Sequence, residues 1–127
     1  MSARVLVVDD DPAVVENLRG VLEQRGFTLV GSAAEGNGAA TLAGQLLPDV
    51  VIMDRMMPGV DGVEATRRIK ANAPDTQVIM LSAHVDAEVQ REGETLGIYC
   101  YLAKGCSENL IADMVGRAAA FKSEMTG

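Results

Sequence analysis

Short unbroken runs of apolar residues alternate along this chain with longer stretches in which apolar residues recur every three or four positions. The first run, at positions 4–8, is Arg4-Val5-Leu6-Val7-Val8. Its β-branched, uninterrupted character is that of a strand buried on both faces. Three acids follow, and Asp11-Pro12 reads as the N-cap and first residue of a helix. Val14, Val15, Leu18, Val21 and Leu22 then repeat at helical spacing, and Gly26 closes that helix. Positions 27–30 form a second strand. Positions 32–47 form an alanine-rich helix ended by Pro48, and its Gly36, Gly38 and Gly44 give it low intrinsic stability.

The third strand covers 49–54 and ends in a single acid, Asp54. A turn, Pro58-Gly59, follows. Asp61 then caps a helix over 61–72, with Glu64 three residues on as in a capping box and with Val63, Ala65 and Ile69 facing inward. The fourth strand, 77–81, ends at Ser82. Positions 86–96 have the length of a helix but few apolar residues and an internal Gly93, which predicts a marginal, mobile element. The fifth strand covers 98–102 and leads to Lys104. Ser107 caps a last helix whose Leu110, Ile111, Met114, Val115, Ala118 and Phe121 make an apolar stripe, read as core.

Five apolar strands alternating with five helices give an α/β fold: a parallel sheet with helices on both faces. The doubly wound, flavodoxin-like class has strand order 2-1-3-4-5 and places its ligand site at the switch point between the first and third strands. That order is taken from the class, since the sequence alone leaves it open. The chain of 127 residues is expected to be a single domain over 1–127. Its formal charge of −7, from 18 acids against 11 bases, argues against direct nucleic-acid binding, which needs a basic face. No apolar run approaches the roughly 18 residues of a membrane span, and the N-terminus lacks a secretory pattern. The expected location is cytoplasmic. Cys100 and Cys106 are too few for a disulfide framework and are expected to be reduced.

In a parallel sheet the carboxyl ends of all strands share one edge. That edge collects Asp9 and Asp10, Asp54, Ser82 and Lys104. Clustered carboxylates repel unless a cation neutralises them, and hard oxygen ligands favour Mg²⁺. An aspartate can attack phosphorus to give an acyl phosphate. Phosphoryl transfer depends chiefly on neutralising charge on the transferred oxygens, and the metal, Lys104 and Ser82 supply such groups. Taken singly, each residue has a plainer reading: capping acid, loop acid, turn serine, surface lysine. The case rests on their sharing one edge. His84, the one histidine, reads as a solvated loop residue.

With these residues placed, the chain resembles a response-regulator receiver domain of two-component signalling. The resemblance rests on Val7-Val8-Asp9-Asp10-Asp11-Pro12, Asp54-Arg55-Met56-Met57-Pro58-Gly59-Val60-Asp61-Gly62, Leu81-Ser82-Ala83 and Tyr101-Leu102-Ala103-Lys104. It implies that Asp54 accepts a phosphoryl group from a sensor histidine kinase or phosphotransfer protein. It implies that Asp10 binds Mg²⁺ directly, Asp9 through water, and that Asp54 and the backbone carbonyl of Met56 complete the metal site. Ser82 and Lys104 would each hold a phosphoryl oxygen. Tyr101 would be the aromatic that swings inward when Ser82 moves, with small Ala83 leaving it room. Met56 and His84 match the variable positions that tune the phosphoryl lifetime.

The chain departs from the family pattern at four positions. Gly105 follows the lysine where a cis-linked proline is frequent. Cys100 stands where glycine is common, Ser82 where threonine is commoner, and Arg55 where an aliphatic or polar residue is usual. Arg55 is expected to screen the acids or steer a partner. The expected function is a phosphorylation-dependent switch acting through the fourth helix and fifth strand on an output domain or partner protein, not a conventional enzyme. The chain is expected to be either a stand-alone receiver or the receiver part of a longer regulator. Two rivals stand beside this reading. One is a haloacid-dehalogenase-type phosphatase with Asp9 as nucleophile. The other is a degenerate receiver that binds partners without being phosphorylated.

Overall fold

The computed structural model describes residues 2–57 and 59–126; Pro58, part of the turn expected after Asp54, lies outside them. Five strands and five helices alternate: β1 (Arg4–Val8), α1 (Pro12–Gln24), β2 (Thr28–Ala33), α2 (Gly36–Leu46), β3 (Val50–Asp54), α3 (Gly62–Asn72), β4 (Gln77–Ser82), α4 (Ala87–Leu96), β5 (Cys100–Ala103) and α5 (Glu108–Thr126). The sheet is wholly parallel, as the pattern predicts, and its order, β2-β1-β3-β4-β5, is that of the doubly wound class. Among the described residues no helix is long and apolar enough to cross a membrane.

The three inner strands, β1, β3 and β4, are mostly apolar because both of their faces are covered. Val5 and Val7 of β1, Ile52 of β3 and Ile79 of β4 pack with Leu18 and Leu22 of α1 and with Ile111 and Val115 of α5. The alternate residues, Leu6, Val8, Val51, Met53, Val78 and Met80, pack with Ala39 and Ala43 of α2 and with Ala65 and Ile69 of α3. Burial contributes about 0.8 kcal/mol per methylene, so the alanine face of α2 adds less than the leucines of α1. What α2 offers instead is close approach: a Cβ on Gly36 would meet the Val60 carbonyl and side chain.

The caps expected at Asp11, Asp61 and Ser107 form, and Asp86 caps α4 as well. Asp11 Oδ1 accepts from Ala13 N at 2.9 Å, Asp61 Oδ1 from Glu64 N at 2.9 Å, Asp86 Oδ1 from Val89 N at 2.9 Å and Ser107 Oγ from Leu110 N at 3.1 Å. Only half of the capping box at Asp61 is made, because the Glu64 carboxylate turns forward to Arg67 and Arg68.

Several boundaries and one face differ from expectation. Positions 32–33 belong to β2, and α2 starts at Gly36. Val7 and Val8 pair with Ser32 and Ala33, and Asp9 N donates to Ala33 O at 3.0 Å, so β1 draws its neighbour's ladder onward. Phe27 precedes β2; its N–H bonds Leu22 O and its ring packs on the α1–α5 core. β5 starts at Cys100, because Ile98 N is taken by Gly93 O at the end of α4. Finally, Leu110 and Phe121 are 40% and 44% exposed, not core. The sheet face is filled by Ile111, Val115 and Ala118, leaving the edges of the stripe outside it.

Candidate functional site

β3 lies at the centre of the sheet between β1 and β4, so its last residue is enclosed on both sides. Asp54 is 3% exposed and pairs in register with Leu81. β1 ends beside it, and Asp9 is buried while Asp10 is exposed. One carboxylate oxygen from each of Asp9, Asp10 and Asp54 falls within 4.8 Å of the others. From the edge strand, Lys104 places Nζ 2.7 Å from Asp54 Oδ1. These four residues line a groove of about 430 Å³, together with Asn17 of α1 and Glu108 of α5.

Electrostatics match the crowding. Burial, and then repulsion from Asp54 and Asp10, holds the Asp9 carboxyl above its usual range, against the opposing pull of the Asp11 N–H and Lys104. The Asp11 N–H donates to Asp9 Oδ1 at 2.9 Å. Asp54 Oδ1 also accepts the Met56 N–H at 3.1 Å, which ties the loop after β3 back to the acid. Three carboxylates with no nitrogen or sulfur among them form a hard oxygen set, suited to Mg²⁺ rather than to zinc or copper.

Ser82 is buried at the end of β4, but its hydroxyl is engaged with its own loop. Oγ donates to His84 O at 2.7 Å and accepts from His84 N at 3.3 Å. Tyr101 is separate from the acids: its hydroxyl donates to Glu92 Oε2 at 2.8 Å. Burial, and then that hydrogen bond, pushes the Tyr101 phenol up to about 12, so it stays a donor. The His84 side chain is exposed. The structure thus gathers Asp9, Asp10, Asp54 and Lys104, sets Ser82 at the rim with its hydroxyl turned to the loop, and places Tyr101 on the α4 side.

The segment after Lys104 turns at Gly105, with φ of +89°, a left-handed conformation that proline cannot take. Burial, reinforced by Cys106, pushes the Cys100 thiol up to about 11, and burial raises Cys106 as well, so both remain thiols at neutral pH.

Two features of the site depend on close contacts that no local pattern records. Arg55 turns away from the acids toward α4 and makes a two-pronged pair with Glu92, Nη2 to Oε1 at 3.1 Å and Nε to Oε2 at 3.3 Å. Glu92 lies 37 residues away in sequence, beyond any local periodicity. The second is Gly62, where a Cβ would sit 2.5 Å from Asp54 O and 2.8 Å from Arg55 Cα. A glycine at that motif position lets α3 start directly beneath the acceptor loop.

A family model of the response regulator receiver domain matches residues 5–116. The response regulator protein VraR of Staphylococcus epidermidis is 39% identical over 117 residues, which is 91% of this chain and 56% of that protein. The response regulator UvrY of Escherichia coli is 35% identical over 112 residues, 87% of this chain and 51% of that protein. The chain spans about half the length of these curated relatives. Among solved structures, a LuxR-family two-component response regulator from an Aurantimonas species superposes with a TM-score of 0.87 at 29% identity, covering 94% of this chain and 86% of that one. The receiver domain of the putative response regulator NarL from Mycobacterium tuberculosis superposes with a TM-score of 0.86 at 30% identity, covering 94% and 97%. With its strand order, its acid triad and these relatives in agreement, the chain belongs to the response-regulator receiver-domain family, the regulatory domain of two-component systems.

Proposed function

We propose that this domain is a phosphorylation-dependent switch in which Asp54 takes a phosphoryl group from a phosphohistidine on a sensor kinase or phosphotransfer protein in the cytoplasm. The observation that carries the reading is a buried carboxylate held 2.7 Å from a lysine ammonium and beside two further acids, at the mouth of a groove. Both contacts of Asp54 among the described residues fall on Oδ1. Oδ2 is therefore the oxygen that attacks phosphorus: an O–P bond forms, the N–P bond of the donor breaks, and its electron pair returns to the imidazole. Lys104 lies at the other carboxylate oxygen, Oδ1, beside the attacking one, where its ammonium balances charge on the transferred group. Asp9, Asp10 and Asp54, with the Met56 carbonyl, would hold a magnesium ion, whose charge lets two anions approach one another.

Ser82 acts after transfer. Turning Oγ toward a phosphoryl oxygen gives up its two bonds to the His84 backbone, so the loop after β4 must shift. A new charge is thereby converted into movement beside α4 and β5, including the inward swing of Tyr101. The readout is an output domain or partner protein; transcription is supported by the LuxR-family neighbour and by the longer regulators among the relatives.

Incubation with acetyl phosphate and Mg²⁺, followed by mapping of the labelled acid, tests this reading. Label on Asp54, reduced to background by Asp54→Asn, is the expected result. Label on Asp9 would instead indicate a phosphatase-type nucleophile, and no label on the native chain would indicate a binding module that is not phosphorylated.

A further inference from the structure

The residue next to the acceptor is clamped at both ends. Its backbone is fixed in the acceptor loop: Arg55 N donates to Leu81 O at 2.9 Å, and Arg55 O accepts from Gly62 N at 2.9 Å. Its guanidinium grips Glu92 in the middle of α4 through two prongs, with the two side chains 28% and 30% exposed. The same Glu92 carboxylate accepts the Tyr101 hydroxyl at 2.8 Å. A single carboxylate therefore joins the acceptor loop, α4 and β5. The Tyr101 ring lies on Gly93, the next residue of α4, where an added Cβ would meet ring atoms Cε2 and Cδ2.

α4 has little else to hold it. Gly93 is the one residue of the helix that is fully buried, so α4 lacks the apolar anchors that α1, α3 and α5 place in the core. An element with few buried apolar contacts opens readily, and its position is then set by specific polar ties. A planar guanidinium holding a carboxylate at two points is geometrically exacting and does not survive a large displacement of either partner.

We propose that Arg55, Glu92 and Tyr101 form a latch by which the acceptor loop holds α4 in its resting place, so that a change of state at Asp54 loosens α4 through the residue beside it. The proposal deepens the phosphoacceptor reading and rests on it for the coupling to Asp54. The hold on α4 is a property of the unmodified chain. Glu92→Gln keeps the shape of the side chain and removes its charge, and Tyr101→Phe removes one arm only. Burial favours neutrality at Glu92, but the hydrogen bonds from Arg55 and Tyr101 outweigh it and keep its carboxyl below the usual range, so it is the charged form that the substitution replaces.

Amide hydrogen exchange on the full chain decides the matter. Without phosphodonor, Glu92→Gln speeds exchange across α4 about fivefold, the effect of losing a partly exposed pair, while β1 and β3 amides keep their rates. The charge exchange Arg55→Glu with Glu92→Arg restores the native α4 rates. Tyr101→Phe gives a smaller change, confined to α4 and β5. Unchanged α4 exchange in Glu92→Gln would overturn the latch. With acetyl phosphate and Mg²⁺, the native chain shows faster α4 exchange and Glu92→Gln shows no further gain. Label on Asp54 with α4 unmoved would overturn the coupling while leaving the phosphoacceptor reading intact. Absence of label would overturn that reading and the coupling together, with the exchange rates of the unlabelled variants still reporting the tie itself.

Discussion

Lys104 Nζ stands 2.7 Å from Asp54 Oδ1, although Asp54 ends β3 and Lys104 follows β5, with β4 between the two strands. The lysine is 39% exposed and the aspartate 3%, so a cation at the rim neutralises a carboxylate that the sheet has enclosed. Lys104→Ala leaves Asp54 facing Asp9 and Asp10 without that counter-charge. Breaking a buried pair from one side costs several kcal/mol, but solvent at the exposed lysine screens this one, and a loss of about 1–2 kcal/mol is expected for the metal-free domain. Mg²⁺ should recover part of the loss. Denaturant unfolding with and without the ion measures both.

The three acids repel one another when no cation lies among them. Asp10 is the exposed member, and its removal relieves repulsion without opening a cavity. Asp10→Ala should therefore raise the melting temperature of the metal-free domain by about 2 °C. The native chain should gain about 1.4 kcal/mol at a Mg²⁺ concentration ten times the dissociation constant, by mass action on the folded state. The variant should gain far less. Thermal scans across a Mg²⁺ titration check both statements.

Gly62 and Gly44 separate two meanings of glycine in a helix. A Cβ at Gly62 meets backbone atoms of Asp54 and Arg55 at 2.5 and 2.8 Å, whereas one at Gly44 meets nothing within 4 Å. Gly62→Ala should cost about 1–3 kcal/mol by overpacking and should slow labelling of Asp54. Gly44→Ala, in the interior of α2, should stabilise by up to about 1 kcal/mol through helix propensity and leave labelling untouched. Unfolding free energies and acetyl phosphate labelling rates of the two variants test the contrast.

At the opposite edge of the sheet, Asp49 fastens three elements. Its Oδ2 accepts the Arg4 N–H at 2.8 Å and its Oδ1 accepts Lys122 Nζ of α5 at 2.6 Å. Burial alone would raise the Asp49 carboxyl; the hydrogen bond from Lys122 and the Arg4 amide overcome it and hold the group below its ordinary value of 3.8. A depressed folded value means stability that is fully present above 3.8 and is lost as pH falls through the folded value beneath it. Asp49→Asn should cost about 1–2 kcal/mol at neutral pH. Its deficit should shrink as pH drops below 3.8, because the native chain then protonates too. Stability curves of both proteins from pH 7 down to pH 3 show whether the deficit closes.

Much of this molecule was legible from local chemistry. A strand buried on both faces must be largely apolar, so β1, β3 and β4 announced themselves, and the polar residues at their ends stood out against that background. Caps at Asp11, Asp61 and Ser107 lie within three residues of the amides they accept from, so sequence spacing sufficed to place them. Parallel topology alone puts Asp9, Asp10, Asp54 and Lys104 on one edge.

Other features depend on partners far along the chain. Ser32 and Ala33 became strand because β1 pairs with them, a choice that no helix propensity in their own segment records. Leu110 and Phe121 kept helical spacing yet stayed outside, because the sheet offers α5 a narrower face than the stripe presents. Glu92 and Tyr101 reached Arg55 only once α4 and β5 had packed beside the acceptor loop. Sequence by itself determined the elements and the chemistry at their ends, since burial on two faces and short-range hydrogen bonding are local demands. Tertiary structure alone decided which distant side chains meet and how closely two backbones approach, since those follow from the packing of whole elements.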